Sequence, residues 1–523
     1  MPVEVKLSDI ELDNALWYLE EEGQSLYLPD QFEINALRAA WDKVKPILMN
    51  VNLLSYVPKP CVQLIAPKQK FTVRPILLLD PVDLVLLTGL GLRFAPLIDK
   101  RRKVLGPNVV HSWQYSTTTD GKPQLSSNWD AWVAEVVKRK DKYPFVAKAD
   151  IVDFFPRIYL HRLKNALSSV TKLEQETKAI MRLLEAWSHG TSYGIPIGPR
   201  ICGILAEALL SEVDELLQSY RFDFVRYIDD YIFFAKTPSH CLKALFVLAE
   251  RLQTTQGLSL NMAKTKVQPM DKLIEEFTDP SEKSAGFRHQ VIEDVFGGNP
   301  YEEVEYDNLS EEQKNLLDSF DLKVMLEEAL EPDIVDLPMV KFVLNVLASL
   351  HRPELAQMVL DNLERLLPAA PAVARFLSMF ATEDDSIREH IARCVFDYLS
   401  QTSFVPDYYS LWLLELFARD PRWNHLAELR VIAREHRNRL VRRQAIMALG
   451  NIGDRSALLD VKSSIDDAKD WEWRGIVYAC RTLPSDERNA FWRSLQPRSD
   501  WNLGTIMPRV IYEYAKSQHC NGR

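Results

Sequence analysis

The sequence predicts a mixed α+β unit followed by an all-helical region. From about residue 61 to 275, short apolar runs of strand character (CVQLIA, YPFVAKADI, FVRYI, YIFFA) alternate with helical patterns such as RICGILAEALLSEVDELLQSY and HCLKALFVLAERLQTT. Beyond about 336, helical segments follow at short intervals: KFVLNVLASL, ELAQMVLDNLERLL, AVARFLSMF, IREHIARCVFDYL, YSLWLLELFA and LVRRQAIMALGNIGD. Between the two, residues 276–335 are acidic and turn-rich, with FGGNP at 296–300 and then EEVEYDNLSEEQ, and form a connector or an inserted surface element.

Residues 1–60 are mainly helical. Leu12, Leu16 and Leu19 share one face, Phe32, Ile34, Leu37, Trp41 and Val44 form a second pattern, and EEGQSLYLPD is the loop between them. In the C-terminal region, Val441-Arg-Arg-Gln-Ala445-Ile-Met-Ala448-Leu449-Gly450 resembles the second helix of a HEAT repeat, and Trp473-Arg474 with Val477 and Cys480 is a weaker echo. An irregular helical bundle is the alternative.

Composition narrows the function classes. The 523 residues are 47% hydrophobic and 26% charged, enough for about two to four domains with buried cores. A net charge of −10 argues against an electrostatic coat gripping duplex nucleic acid along its whole length, though not against a local basic groove. No apolar stretch approaches the roughly 18 uncharged residues of a membrane span, and the start MPVEVKLSDIELDNALW has no secretory pattern. Cys61, Cys202, Cys241, Cys394, Cys480 and Cys520 are far apart, with no CxxC pair. A reduced, cytoplasmic protein without membrane partner or structural metal is expected.

The chemistry centres on Phe224-Val225-Arg226-Tyr227-Ile228-Asp229-Asp230-Tyr231-Ile232-Phe233-Phe234. Two aromatic strand patterns flank adjacent acids, which places Asp229 and Asp230 at the tip of a β-hairpin. Taken alone, such a pair is a solvated turn or a metal site. Earlier in the chain, YPFVAKAD ends an apolar strand on Asp150, with Asp153, Phe154 and Phe155 just beyond. Asp150 is a helix N-cap or a third carboxylate aimed at the hairpin, and three such acids are what two divalent cations need to clamp a phosphoryl group.

Between them, Gly194-Ile-Pro196-Ile-Gly198-Pro199 is a rigid turn opening a long helix. Glycine there lets a nucleotide approach the backbone, while proline fixes the approach angle. After the hairpin, Gly257-Leu-Ser-Leu260-Asn261-Met-Ala-Lys264-Thr265-Lys266 offers Lys264 to neutralise or protonate a leaving pyrophosphate. Upstream, Lys68, Lys70 and Arg74 in PKQKFTVRPI alternate with apolar residues on a strand-like run and suit a triphosphate clamp. Arg93, Lys100, Arg101, Arg102 and Lys103 form the densest basic cluster, either a backbone track for nucleic acid or a solvated charge run.

The ordered set resembles the palm of reverse transcriptases over roughly residues 60–270: a strand ending in Asp with Phe-Phe beyond, then GxPxG, then YxDD, then GLxLNxxKT. The resemblance implies a right-hand polymerase palm and fingers over 61–275, with Asp150 and Asp229 as principal Mg2+ ligands and Asp230 as a supporting acid. Two ions are implied, with Mn2+ as a substitute. It further implies Phe155 as the steric gate against a ribose 2′-hydroxyl, Lys264 as the motif lysine and Arg74 on the nucleotide side, where the residues' own chemistry already puts Lys70, Gly194, Pro196 and Gly198. The helix after GxPxG departs from templated members, reading Ile197-Gly198-Pro199-Arg200-Ile201-Cys202-Gly203-Ile204-Leu205-Ala206-Glu207, with Cys202 where serine is frequent. No thumb pattern follows; residues 336–523 form an α-helical, HEAT-like domain in its place.

That combination looks like the abortive-infection polymerases of bacterial phage defence. Membership implies template-independent DNA synthesis from dNTPs, a primer tyrosine in the protein itself, a covalently attached single-stranded DNA product, and a ring-like homo-oligomer of three or more subunits. Tyr27, in the polar loop, is the preferred primer over Tyr18, which lies inside a helical pattern. The alternatives are a templated, retron-like enzyme copying RNA and a binding scaffold with a vestigial palm. A metal-dependent nuclease has no need of Phe155, the glycine turn and Lys264 together.

Overall fold

The computed structural model describes residues 3–25, 27–68, 72–278, 309–318, 321–332, 335–350, 353, 355–401, 404–495 and 501–520. The chain forms two compact units, one of Met1–Leu26, Lys45–Gln63 and Ile76–Gly286, the other of Tyr27–Val44, Leu64–Pro75 and Phe287–Arg523. The helical N-terminal sixty residues are therefore shared between units. Helix Asp9–Glu21 starts at a capping box, Ser8 with Glu11, and belongs to the first, whereas Phe32–Ala39 belongs to the second.

Strands β1 (Val62–Pro67) and β2 (Val73–Leu78) pair as a two-stranded sheet, as do β3 (Gln114–Thr117) and β4 (Pro123–Ser126). The PKQKFTVRPI run is consequently not one strand. Lys68 follows β1, its N–H donates to the Thr72 carbonyl at 2.7 Å, and Arg74 stands on β2.

The larger sheet of the first unit holds β5 (Phe145–Asp150), β6 (Asp223–Tyr227), β7 (Asp230–Ala235) and β8 (Lys266–Pro269), all antiparallel, in the order β6-β7-β5-β8. Side chains alternate between its faces with period two. Val146, Val225, Ile232 and Phe234 fall on one face and pack with Trp132 and Val136 of helix Trp129–Val137 and with Met270 and Leu273 of helix Met270–Thr278. The register opposes Val146 to Phe234, Lys148 to Ile232 and Asp150 to Asp230. Asp150 and Asp230 thus end the same face that carries this core, at the edge where β5 stops and β7 begins.

Helix Pro81–Arg102 starts at Asp80, whose side chain accepts from the Val82 N–H, with Pro81 in the first turn. By length and composition alone Pro81–Leu105 is apolar enough to cross a membrane, but Asp83 and Arg93 interrupt its apolar run and 83% of its apolar window is buried in the fold. Its end carries the basic cluster. Arg102 is buried against Asp99 and Glu207, Arg101 pairs with Glu215, Lys103 with Asp99, and Arg93 with Glu11. Four of the five cations pair with carboxylates within the unit, and only Arg102 is buried, so the cluster is largely a paired, solvated run.

The acidic connector lies largely outside the described residues, but its distal part is helical over Glu311–Asp318 and Leu322–Leu330, the latter capped by Asp321. Beyond residue 335 the described residues of the second unit form helices and their connections. Helices Arg439–Ile452 and Asp470–Ala479 lie backbone to backbone: a Cβ on Gly450 would sit 2.5 Å from the Ala479 Cα, and one on Gly475 would sit 2.9 Å from the Arg443 Cγ. Arg443 is buried in an ion pair with Glu33 at 2.8 Å and bonds to Gln31 at 3.0 Å, while Phe32 stacks on Tyr478. Residues 27–44 are thereby built into the helical unit.

Candidate active site

The hairpin β6–β7 closes with Tyr227 opposite Asp230 and a two-residue turn, Ile228-Asp229. Ile228 has φ +56°. Hairpin turns of the mirror-image types place glycine at such a position, and a β-branched residue there is strained. Asp153, just beyond β5, also adopts positive φ, +45°. Backbone strain of this kind persists where surrounding structure over-determines it, and it clusters at functional sites.

Asp150 is buried and multiply held. Lys264 Nζ lies 2.7 Å from Oδ1, Asn261 Nδ2 donates to Oδ2 at 3.0 Å, and the Asn261 N–H donates to the Asp150 carbonyl at 2.8 Å. The GLSLN segment is aligned alongside the end of β5 by the Ile151–Leu260 bridge and by the Val152 N–H on the Ser259 carbonyl, 2.9 Å. The turn carrying Lys264 is then closed by Asn261, whose Oδ1 accepts from the Ala263 N–H at 3.1 Å. Gly257 has φ +68°, and a Cβ there would lie 2.8 Å from the Tyr159 ring. Asn261 has no assigned role in the sequence reading; its place three residues before Lys264 in GLxLNxxKT is the signal that points to it.

The three carboxylates act on one another. Burial first, then Asp230 and Asp150, push the Asp229 carboxyl up to about 7, and burial with Asp150 pushes Asp230 up to about 6. Lys264 is held above its ordinary value, because the pull of the three acids outweighs the desolvation that opposes it. Like charges directly opposite on a sheet destabilise it. Two carboxyls raised by burial and by their acidic neighbours at one hairpin are a candidate site for a counter-charge.

Among the described residues, no group of three or more His, Cys, Asp or Glu side chains stands ready-made to hold a metal ion. The donor chemistry nonetheless fits Mg2+. All three candidates offer carboxylate oxygens, two of them carry charge that burial leaves uncompensated, and Mg2+ binds through one or two carboxylates plus water and substrate phosphates rather than in a closed cage. Asp150, Asp229 and Asp230 would hold the ions. When bound, these supply Lewis-acid charge stabilisation to a transferring phosphoryl group.

The glycine turn is placed against the same edge. The Gly194 N–H donates to the Ile158 carbonyl (2.8 Å) and the Ile195 N–H to the Phe155 carbonyl (3.2 Å). Gly194 and Gly198 have φ +91° and +129°, and a Cβ on Gly194 would press on the Pro156 carbonyl at 3.3 Å. Pro196 lies between them, and helix Ile201–Ser219 follows. Phe155 is half-buried, edge-on to Phe154. Cys202 is fully enclosed in the helix, its thiol pushed up by burial, so it serves packing.

Lys70 lies outside the described residues. Arg74 belongs to the second unit, where its guanidinium covers the Tyr27 ring at 4.8 Å and donates to the Tyr27 hydroxyl. Tyr18 is buried, and burial raises its hydroxyl far above the usual range.

Residues 97–288 match the family model "Reverse transcriptase (RNA-dependent DNA polymerase)". No curated protein matches the chain. Among solved structures, it is similar to telomerase from Candida albicans in complex with a TWJ fragment of telomeric RNA, at 11% identity and TM-score 0.32, covering 74% of this chain and 71% of that one. It is also similar to apo telomerase from Candida tropicalis, at 12% identity and TM-score 0.30, covering 84% and 72%. At this level of overlap neither bears on function. The family match falls on the segment that carries Asp150, Asp229, Asp230 and Lys264. Residues 97–288 are a reverse transcriptase domain, and the chain is a nucleotidyltransferase of the reverse-transcriptase type.

Proposed function

We propose that the chain is a protein-primed, template-independent DNA polymerase of antiphage abortive infection, acting in the cytoplasm as a homo-oligomer. One observation carries the priming step: the Tyr27 phenol oxygen accepts a hydrogen bond from Arg74, whose guanidinium also covers the ring. The guanidinium thereby fixes the position of the phenol oxygen, the atom that attacks phosphorus. The Tyr27 oxygen bonds to the α-phosphorus of a dNTP, the bond to the β-phosphate oxygen breaks, pyrophosphate leaves, and the phenol proton passes to solvent. Asp150, Asp229 and Asp230 would hold the divalent cations that nucleotidyl transfer uses, Lys264 would answer the charge on the leaving group, and Phe155 would exclude the ribose 2′-hydroxyl. The order along the chain, a reverse transcriptase domain over 97–288 and then a helical region with no thumb pattern, supports the defence role by resemblance.

A second reading, RNA-templated synthesis by a retron-like enzyme, is favoured by the RNA-dependent description of the matching family model. Incubating the purified protein with Mg2+ and labelled dNTPs, without nucleic acid, separates the two. Label that remains on the protein after denaturation, maps to Tyr27 by mass spectrometry and disappears in Tyr27→Phe supports the proposal. Strict dependence on added RNA sinks it in favour of the templated reading.

A further inference from the structure

The turn that carries Asp229 is held by groups outside the sequence motif. The Ile228 N–H donates to Ser112 Oγ at 2.9 Å, and the Ile228 carbonyl accepts from an Arg226 terminal nitrogen at 2.7 Å. These two bonds clamp the peptide planes on either side of the Ile228 Cα. They fix a φ of +56° that the side chain alone would not choose.

Both clamping groups are themselves immobilised. Ser112 is fully buried, and its hydroxyl donates to Glu207 at 2.7 Å while accepting from Ile228. Arg226 is fully buried, with its remaining nitrogens on Asp214 at 2.6 and 3.1 Å and on Glu207 at 2.8 Å. Tyr231 donates to Asp214 at 2.9 Å, and Arg102 closes the far side of Glu207 at 3.2 Å. Well-packed apolar side chains often stabilise such a core as well as a buried ion cluster does. What apolar groups cannot do is orient a peptide, because that takes a donor at its carbonyl and an acceptor at its N–H.

We infer that Ser112 and Arg226 are positioning residues for nucleotidyl transfer, locking the Ile228 backbone so that Asp229 presents its carboxylate to the catalytic cation in one direction. The inference rests on Asp229 being a cation ligand. Groups that orient a metal ligand typically contribute about ten- to a hundredfold in metal affinity or activity.

The test uses the full chain with Ser112→Ala and, as a second variant, Arg226→Lys, which keeps the charge but loses the fork that reaches Asp214 and the Ile228 carbonyl together. Three quantities are measured beside thermal stability: hydrogen exchange in the peptide containing Ile228, Mn2+ affinity by electron paramagnetic resonance without nucleotide, and kcat with KM for dNTP. Exchange at Ile228 at least about tenfold faster is expected. Mn2+ affinity and kcat should each fall about tenfold, a change worth ~1.4 kcal/mol, with KM little altered. Exchange as slow as in the unsubstituted protein overturns the inference. So does faster exchange with Mn2+ affinity and kcat unchanged, or an unsubstituted protein that binds no Mn2+. If Ser112→Ala does not fold, Arg226→Lys decides by the same readings. A protein that binds Mn2+ in this way but makes no DNA defeats the proposed function and leaves the clamp standing.

Discussion

Replacing Asp229 by asparagine should stop synthesis and make the metal-free protein more stable. In the folded protein this carboxyl is raised from 3.8 to about 7 by burial and by Asp230 and Asp150. Between about pH 4 and pH 7 the folded state therefore holds a proton that the unfolded chain releases, and stability falls as pH rises through that window. Three pKa units at ~1.4 kcal/mol each set an upper bound of ~4 kcal/mol on the strain of the charged form. Asp229 is partly open to solvent, which screens the interaction and reduces the figure to about 1–2 kcal/mol. Asparagine keeps the shape and loses the charge. The gain in Asp229→Asn should be small near pH 4.5 and complete by pH 8, where it amounts to a Tm increase on the order of 3–6 °C. Thermal denaturation in EDTA at several pH values reads this directly. Added Mg2+ should narrow the gap, because it stabilises the unsubstituted protein more than the variant. A variant that melts lower at pH 8, or a gap independent of pH, would refute the view that the three acids repel one another across a shared site.

Phe155→Ala should admit ribonucleotides, read as the ratio of kcat/KM for rNTP over dNTP; unchanged discrimination removes Phe155 from the gate. In Lys264→Met, kcat should fall about ten- to a hundredfold if the ammonium serves the leaving group. The lysine side chain is 52% exposed, so folding stability should change by less than about 1 kcal/mol, measured by urea denaturation. Arg443→Met should destabilise the helical unit by about 3–5 kcal/mol, because it leaves Glu33 buried beside Gln31 without its cation. The double variant with Glu33→Leu should recover most of that loss in the same denaturation experiment.

These outcomes depend on features of unequal visibility in the amino-acid sequence. Asp150 at a strand end and Asp229-Asp230 at a hairpin tip were legible because each is fixed by local alternation over six or so residues, and the register that opposes Asp150 to Asp230 follows from pairing two such strands. Lys264 was legible for the same reason, being tied to Asp150 through a short segment that bridges to the residue after β5. Charge, by contrast, misled. Arg101, Arg102 and Lys103 look like an exposed basic run, yet Arg102 is buried, since its partners are Asp99 one turn back and Glu207 on a distant helix. The same long-range pairing hides Arg226, which sits inside the quoted motif but finds Asp214 and Glu207 on the preceding helix and shares the Ile228 peptide with Ser112 from a separate loop. A hydrophobic period reports which face of an element is buried. It says nothing about which buried cation meets which buried anion, because that is settled by packing between elements. The carboxylates of the proposed site are thus written locally, and the groups inferred to aim them are written across the fold, so a motif can be complete in sequence while the backbone geometry around it depends on residues elsewhere.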